Sequence, residues 1–83
     1  MTYQADPLFL PNSAEREHMV ANAAYYLAER RSFAPGGEQD DWRLAERQID
    51  RMLAAMTQQG VGRRKFERTG LRNALRLWAA DPA

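Results

Sequence analysis

Apolar residues recur at helical spacing over three stretches of this chain, separated by residues that cannot continue a helix. From Met19 onward, Val20, Ala23, Ala24 and Leu27 share one stripe, while Glu17, Asn22 and Glu29 fall mostly off it. Asn12 and Ser13 are good N-cap types, and Glu15 follows Asn12 by three positions in the arrangement of a capping box. The pattern predicts a first helix over residues 13–31. Pro35, Gly36 and Gly37 then impose a loop, in which Phe33 is expected to fold back as a plug over the end of the helical pair. Trp42, Ala45, Ile49, Met52 and Met56 recur at steps of three, four, three and four with Leu53 beside them, which predicts a second helix over 41–58. Asp40 or Asp41 is its expected cap, and Gly60 and Gly62 its stop.

A third helix is predicted over 63–80, with Phe66, Leu71, Ala74, Leu75, Leu77 and Trp78 on or near one side. Thr69 and Gly70 mark either a kink near residue 70 or a short turn followed by a helix from about there. Residues 1–12 read as an extended arm, because Pro7 and Pro11 bracket Leu8, Phe9 and Leu10. The arm is expected to pack, with Leu10 against the first turns of the first helix. The fold class is therefore all-α: one domain, 1–83, in which a small three-helix array is built from a helix-loop-helix hairpin, a C-terminal helix across it and an N-terminal arm over one end.

Eighty-three residues hold one core, and with no cysteine that core rests on packing rather than on a disulfide or thiolate-metal framework. The N-terminal stretch lacks the basic start and apolar run of a signal peptide, and no stretch approaches the roughly 18 apolar residues of a membrane span. A cytoplasmic location with no membrane span is the expectation.

Charge adds the most suggestive feature. Residues 1–42 carry three basic and seven acidic groups, and residues 43–83 nine basic and four acidic, so a net charge of +1 conceals halves of −4 and +5. Within the basic half, Arg64, Arg68, Arg72 and Arg76 recur at i+4 along the third helix with only Glu67 nearby. Like charges at that spacing cost about 0.2 to 0.5 kcal/mol per pair, so an acidic group should face them. Phosphate, the chain's own acidic first half, a second copy and solvent are the candidates. Arg43, Arg47 and Arg51 form a similar ladder on the second helix, but alternate with Glu46 and Asp50 and read as largely self-neutralised.

Other chemistry is thin. His18, the single histidine, has Glu15, Glu17 and Asn22 around it but lacks the convergent ligands of a metal site, and reads as a solvated surface residue. No nucleophile-base set or phosphate-cradling glycine motif is visible, and Asp40 and Asp41 are better explained as helix-capping acids than as a catalytic pair. No catalytic residue, cofactor or metal is expected. Trp42 is expected to close the hairpin against Leu27 and Phe33.

The string AYYLAERR, followed after a Pro-Gly loop by DDWRLAERQI, resembles a short bacterial family known as domain of unknown function 2934. The matching positions are Ala24, Tyr25, Leu27, Glu29, Gly36 or Gly37, Trp42, Ala45 and Glu46, and the resemblance runs from near residue 16 to near residue 53. Ala28 stands where the pattern usually has an aromatic, and Ser32 near where a glycine usually ends the helix. The resemblance implies a helical hairpin and lends no catalytic residue. The functional expectation is a non-catalytic module for protein-protein interaction or self-association, its partner an unidentified protein or a second copy. The alternative is nucleic-acid binding through Arg64, Arg68, Arg72 and Arg76.

Overall fold

A computed structural model describes residues 6–80, so the first five residues of the expected arm and residues 81–83 lie outside the described residues. Four helices follow one another: α1 (Ser13–Arg30), α2 (Glu38–Gln59), α3 (Arg63–Thr69) and α4 (Leu71–Trp78). The architecture is all-α; the one sheet-like contact among the described residues is an isolated antiparallel bridge between Leu8 and Gly62.

The start of α1 is fixed by its own sequence. Asn12 Oδ1 accepts the Glu15 N–H at 2.8 Å and the Asn12 N–H donates to Glu15 Oε1 at 3.2 Å, a complete capping box. Helix α2 begins earlier than expected. Gly37, not Asp40 or Asp41, is its N-cap, and Glu38, Asp40 and Asp41 occupy the first turn, where the helix dipole favours carboxylates. A Cβ at Gly37 would lie 2.9 Å from Arg31 Cζ, so a larger residue there would displace the Arg31 guanidinium. The bare backbone lets Arg31 cross the helix start and donate to Asp41 Oδ2 at 2.6 Å. At the other end Gly60, at φ 68°, takes the left-handed cap that closes α2.

The predicted third helix is two helices. Gly70 sits at φ 80°, ψ 150°, far from helical values, and it serves as C-cap of α3 and N-cap of α4. A single continuous helix over 63–80 is thereby corrected, and the short-turn alternative near residue 70 is the one observed.

The hairpin of α1 and α2 is the main packing unit, with α4 laid chiefly on α2. Val20 and Ala23 of α1 meet Ala45, Ile49, Met52 and Met56 of α2 and Ala74 and Trp78 of α4 in one buried cluster. The Trp78 indole N–H is satisfied by Gln59 Oε1 at 3.1 Å. Four sequence expectations fail at the edges of this core. Trp42 is 39% exposed and Phe33 55%, so neither plugs the hairpin. The backbone turns left-handed at Ser32 (φ 54°) and Phe33 (φ 58°), which carries the Phe33 ring onto Tyr25, with ring centroids 5.3 Å apart. Leu10 (66%) and Leu77 (63%) are also exposed, because the arm inserts Phe9 instead and the break at Gly70 rotates Leu77 outward.

The arm is held by polar as well as apolar contacts. The Phe9 ring stacks on Phe66 with centroids 4.3 Å apart, the Phe9 N–H donates to the Val61 carbonyl at 3.1 Å, and the Arg63 N–H donates to the Pro7 carbonyl at 2.8 Å. Asp6 supplies what α3 lacks. Gly62 offers no side-chain cap, and the Asp6 carboxylate accepts the Arg64 and Lys65 N–H groups at 3.0 and 3.1 Å, the donors that an N-cap side chain ordinarily satisfies.

These contacts carry a pH dependence. The Arg64 N–H holds the Asp6 carboxyl below its usual range, assisted by Lys65, and the Arg63 guanidinium does the same for Glu15. A depressed folded-state pKa gives stabilisation that is complete above the unfolded value, about 4, and is lost as pH falls through the folded one. Amide-exchange protection at Phe9 and Arg63 should therefore weaken below about pH 4, ahead of that at Ile49 in the core. Equal loss at all three amides would contradict the assignment.

Candidate functional site

An open cleft of about 730 Å³ lies where α1, α2 and α4 meet. Its apolar lining comes from Ala23 and Leu27 on α1, Leu44 on α2, Leu75 on α4, and Ala79 after it. Around these, among the described residues, stand five arginines, Arg30, Arg47, Arg51, Arg72 and Arg76, against one carboxylate, Glu29. The cleft is thus partly apolar and strongly cationic in a molecule whose net charge is only +1.

Each arginine is placed by a different local feature. Arg30 belongs to the last turn of α1, where a cation complements the helix dipole. Arg47 and Arg51 are one turn apart on α2, and Arg72 and Arg76 one turn apart on α4. Arg72 is the most constrained: its Nη2 donates to Glu29 Oε1 at 3.0 Å and its Cζ lies 4.0 Å from the centre of the Tyr26 ring. Arg51 Nη1 reaches the Ala79 carbonyl at 3.4 Å, linking α2 to the end of α4. Arg30, Arg47 and Arg76 make no ion pair with any described residue. Guanidinium groups with unspent donors beside an apolar surface can grip carboxylate or phosphate bidentately.

The four arginines of the predicted stripe are not brought together. Arg72 and Arg76 line the cleft, whereas Arg64 and Arg68 sit on α3, exposed and outside its lining. The counter-charge facing Arg64 and Arg68 is Asp6, whose carboxyl both help to hold low. The i+4 ladder presumed one helix, and Gly70 breaks it between the second and third arginines. The reading of Arg47 as neutralised by its neighbour Asp50 is also revised. Asp50, its expected partner, turns across the hairpin, where Arg16 Nε and Nη2 donate to it at 3.0 and 3.1 Å. Sequence reasoning therefore missed Arg30, Arg47 and Arg51 as site residues.

The remaining candidates fall elsewhere. His18 is exposed on α1, beside a shallow, mainly apolar depression of about 410 Å³ that includes Phe9, Met19 and Phe66 and shares no residue with the cleft. Among the described residues no three histidine, cysteine or acidic side chains converge as metal ligands. Asp40 and Asp41 lie in the first turn of α2, Asp41 paired with Arg31. Among the described residues no helix is long and apolar enough to cross a membrane.

Fold and cleft together define a small all-α domain built on a helical hairpin. Residues 15–51 match the model of a family described as Protein of unknown function (DUF2934), the family that AYYLAERR and DDWRLAERQI resemble. The matched stretch covers most of α1 and the first two-thirds of α2, with Arg30, Arg47 and Arg51, and ends before α3 and α4, so Arg72 and Arg76 belong to the part outside it. No curated protein and no solved structure matches the chain.

Proposed function

We propose that this chain is a non-catalytic interaction module that holds an acidic, partly apolar segment of another protein in the α1–α2–α4 cleft. The observation carrying this reading is the lining itself: five arginines against one carboxylate, interleaved with Leu27, Leu44 and Leu75. Burying apolar surface supplies affinity, and the arginines select partners by charge. Among the described residues the lining offers no serine, threonine, cysteine, histidine or lysine, and its Glu29 and Tyr26 are engaged by Arg72, which supports binding over covalent or acid-base chemistry. Nucleic-acid binding through the arginine stripe is less well supported, because Arg64 and Arg68 stand apart from Arg72 and Arg76 and face Asp6.

The reading is tested with a labelled, leucine-containing acidic peptide, followed by fluorescence anisotropy at low salt. Binding is expected, weakening as salt rises, and the double variant Arg47→Glu, Arg76→Glu should lose at least about tenfold, or 1.4 kcal/mol. The double variant Arg64→Glu, Arg68→Glu should stay within about twofold of the parent protein. Preferential binding of duplex or single-stranded DNA, lost on changing Arg64 and Arg68, would establish the nucleic-acid reading instead.

A further inference from the structure

Two features of the cleft restrict the shape of what it accepts. The first is its walls. Three helices form most of them, and backbone groups inside a helix are already bonded there, so the cleft offers no sheet edge along which an extended peptide could pair. An extended segment pressed against Leu27, Leu44 and Leu75 would bury main-chain donors and acceptors with mainly side-chain donors to meet them. A helix carries its own hydrogen bonds into such a place.

The second feature is the repeat of the charges. Arg47 and Arg51 on α2, and Arg72 and Arg76 on α4, are each separated by one helical turn. Leu75 on α4 and Ala79 at its C-cap follow the same four-residue step. A ligand helix with carboxylates at i and i+4 repeats the spacing of the arginines, while apolar residues at i, i+3 and i+7 on its other side meet the leucines.

From this geometry we infer that the cleft takes an amphipathic helix from a partner protein, with acidic residues spaced one turn apart along one flank and an apolar stripe along the other. The inference rests on the reading of the chain as an acidic-segment binding module and specifies the partner's conformation. With α1, α2 and α4 around it, such a helix completes a four-helix arrangement at the cleft. Charge patterning separates it from a second copy of this chain: on its longest helix, α2, the acids Glu46 and Asp50 are interleaved with Arg43, Arg47 and Arg51, so no purely acidic flank meets the arginines of the cleft.

Three peptides of equal length and composition test the inference against the full chain: one with acids four apart and an apolar stripe, one with the same residues scrambled to two-residue alternation, and the first with its central residues reordered around a proline that all three contain. Isothermal titration at low salt should give at least tenfold tighter binding for the first, accompanied by a gain of helical circular dichroism. Arg47→Gln with Arg76→Gln should weaken that binding without altering the protein's own melting curve, which separates lost recognition from lost folding. Equal affinity for all three peptides overturns the helical partner and leaves the acidic-segment reading standing. Binding of none overturns both. A concentration-dependent dimer that dissociates on Arg47→Glu also overturns it, since a second copy would then be the occupant.

Discussion

Replacing Ile49 by alanine lowers the unfolding free energy by about 3 kcal/mol. Ile49 is fully buried at the centre of the α2 stripe, with Ala45 and Met52 on either side and α1 and α4 supplying the rest of the cluster. Removing its branched side chain forfeits transfer free energy and leaves a cavity. Met52 and Met56, unbranched and adaptable, fill part of that space, which places the cost in the lower half of the range for such truncations. A domain of this length is stable by roughly 4 to 12 kcal/mol, so the variant spends a quarter or more of the total. Urea denaturation should show a lower midpoint with an unchanged slope, and the melting temperature should fall by roughly 12 to 24 °C. Leu77→Ala is the matched control. The apolar pattern puts Leu77 on the same side as Trp78, yet it is 63% exposed, and its removal should cost less than about 0.5 kcal/mol. Equal losses at Ile49 and Leu77 would mean that α4 is packed differently.

That contrast shows what the sequence made legible. Features that depend on a few adjacent residues were readable: the capping box at Asn12 and Glu15, the Ala45-Ile49-Met52-Met56 stripe, the stop at Gly60. Each is decided within one or two helical turns, where spacing alone determines which groups meet. Trp42 has the spacing of a core residue, seven positions before Ile49, but its burial required a cover from the loop. The left-handed turn at Ser32 and Phe33 gives that cover to Tyr25 instead, a choice no helical periodicity encodes.

The cleft was less legible for a related reason. Its charge is a property of three helices at once, and a pattern read along each helix sees only that helix's own neighbours. On α2 the sequence offers Asp50 as a partner for the adjacent arginines, and only the hairpin reveals that Arg16 has taken it. On the third segment the sequence offers a four-arginine ladder, which Gly70 divides into two pairs facing different surroundings. Half of the ladder, Arg72 and Arg76, lines the cleft. The other half answers to Asp6 in the arm, which also caps α3 from the far end of the chain.

Gly70→Ala tests the division directly and is expected to cost about 2 kcal/mol. At φ 80° and ψ 150° Gly70 lies in a region essentially closed to residues with a Cβ, and no atom lies within 4 Å of the position that Cβ would take. The cost therefore comes from the backbone alone. To escape it, the variant must straighten α3 into α4, which would swing Ala74 and Trp78 off α2 and carry Arg72 and Arg76 away from Arg47. Asparagine separates this from an ordinary left-handed turn. Gly60, at φ 68° and ψ 32°, adopts a conformation asparagine visits readily, so Gly60→Asn should cost well under 1 kcal/mol, whereas Gly70→Asn should cost about as much as Gly70→Ala. Trp78 reports the outcome: its indole, 8% exposed and bonded to Gln59, should show red-shifted emission in the Gly70 variants and not in Gly60→Asn. A Gly70→Ala protein with unchanged melting temperature and Trp78 emission would show that the break does not depend on glycine, and with it would go the reason for placing Arg72 and Arg76 in the cleft and Arg64 and Arg68 outside it.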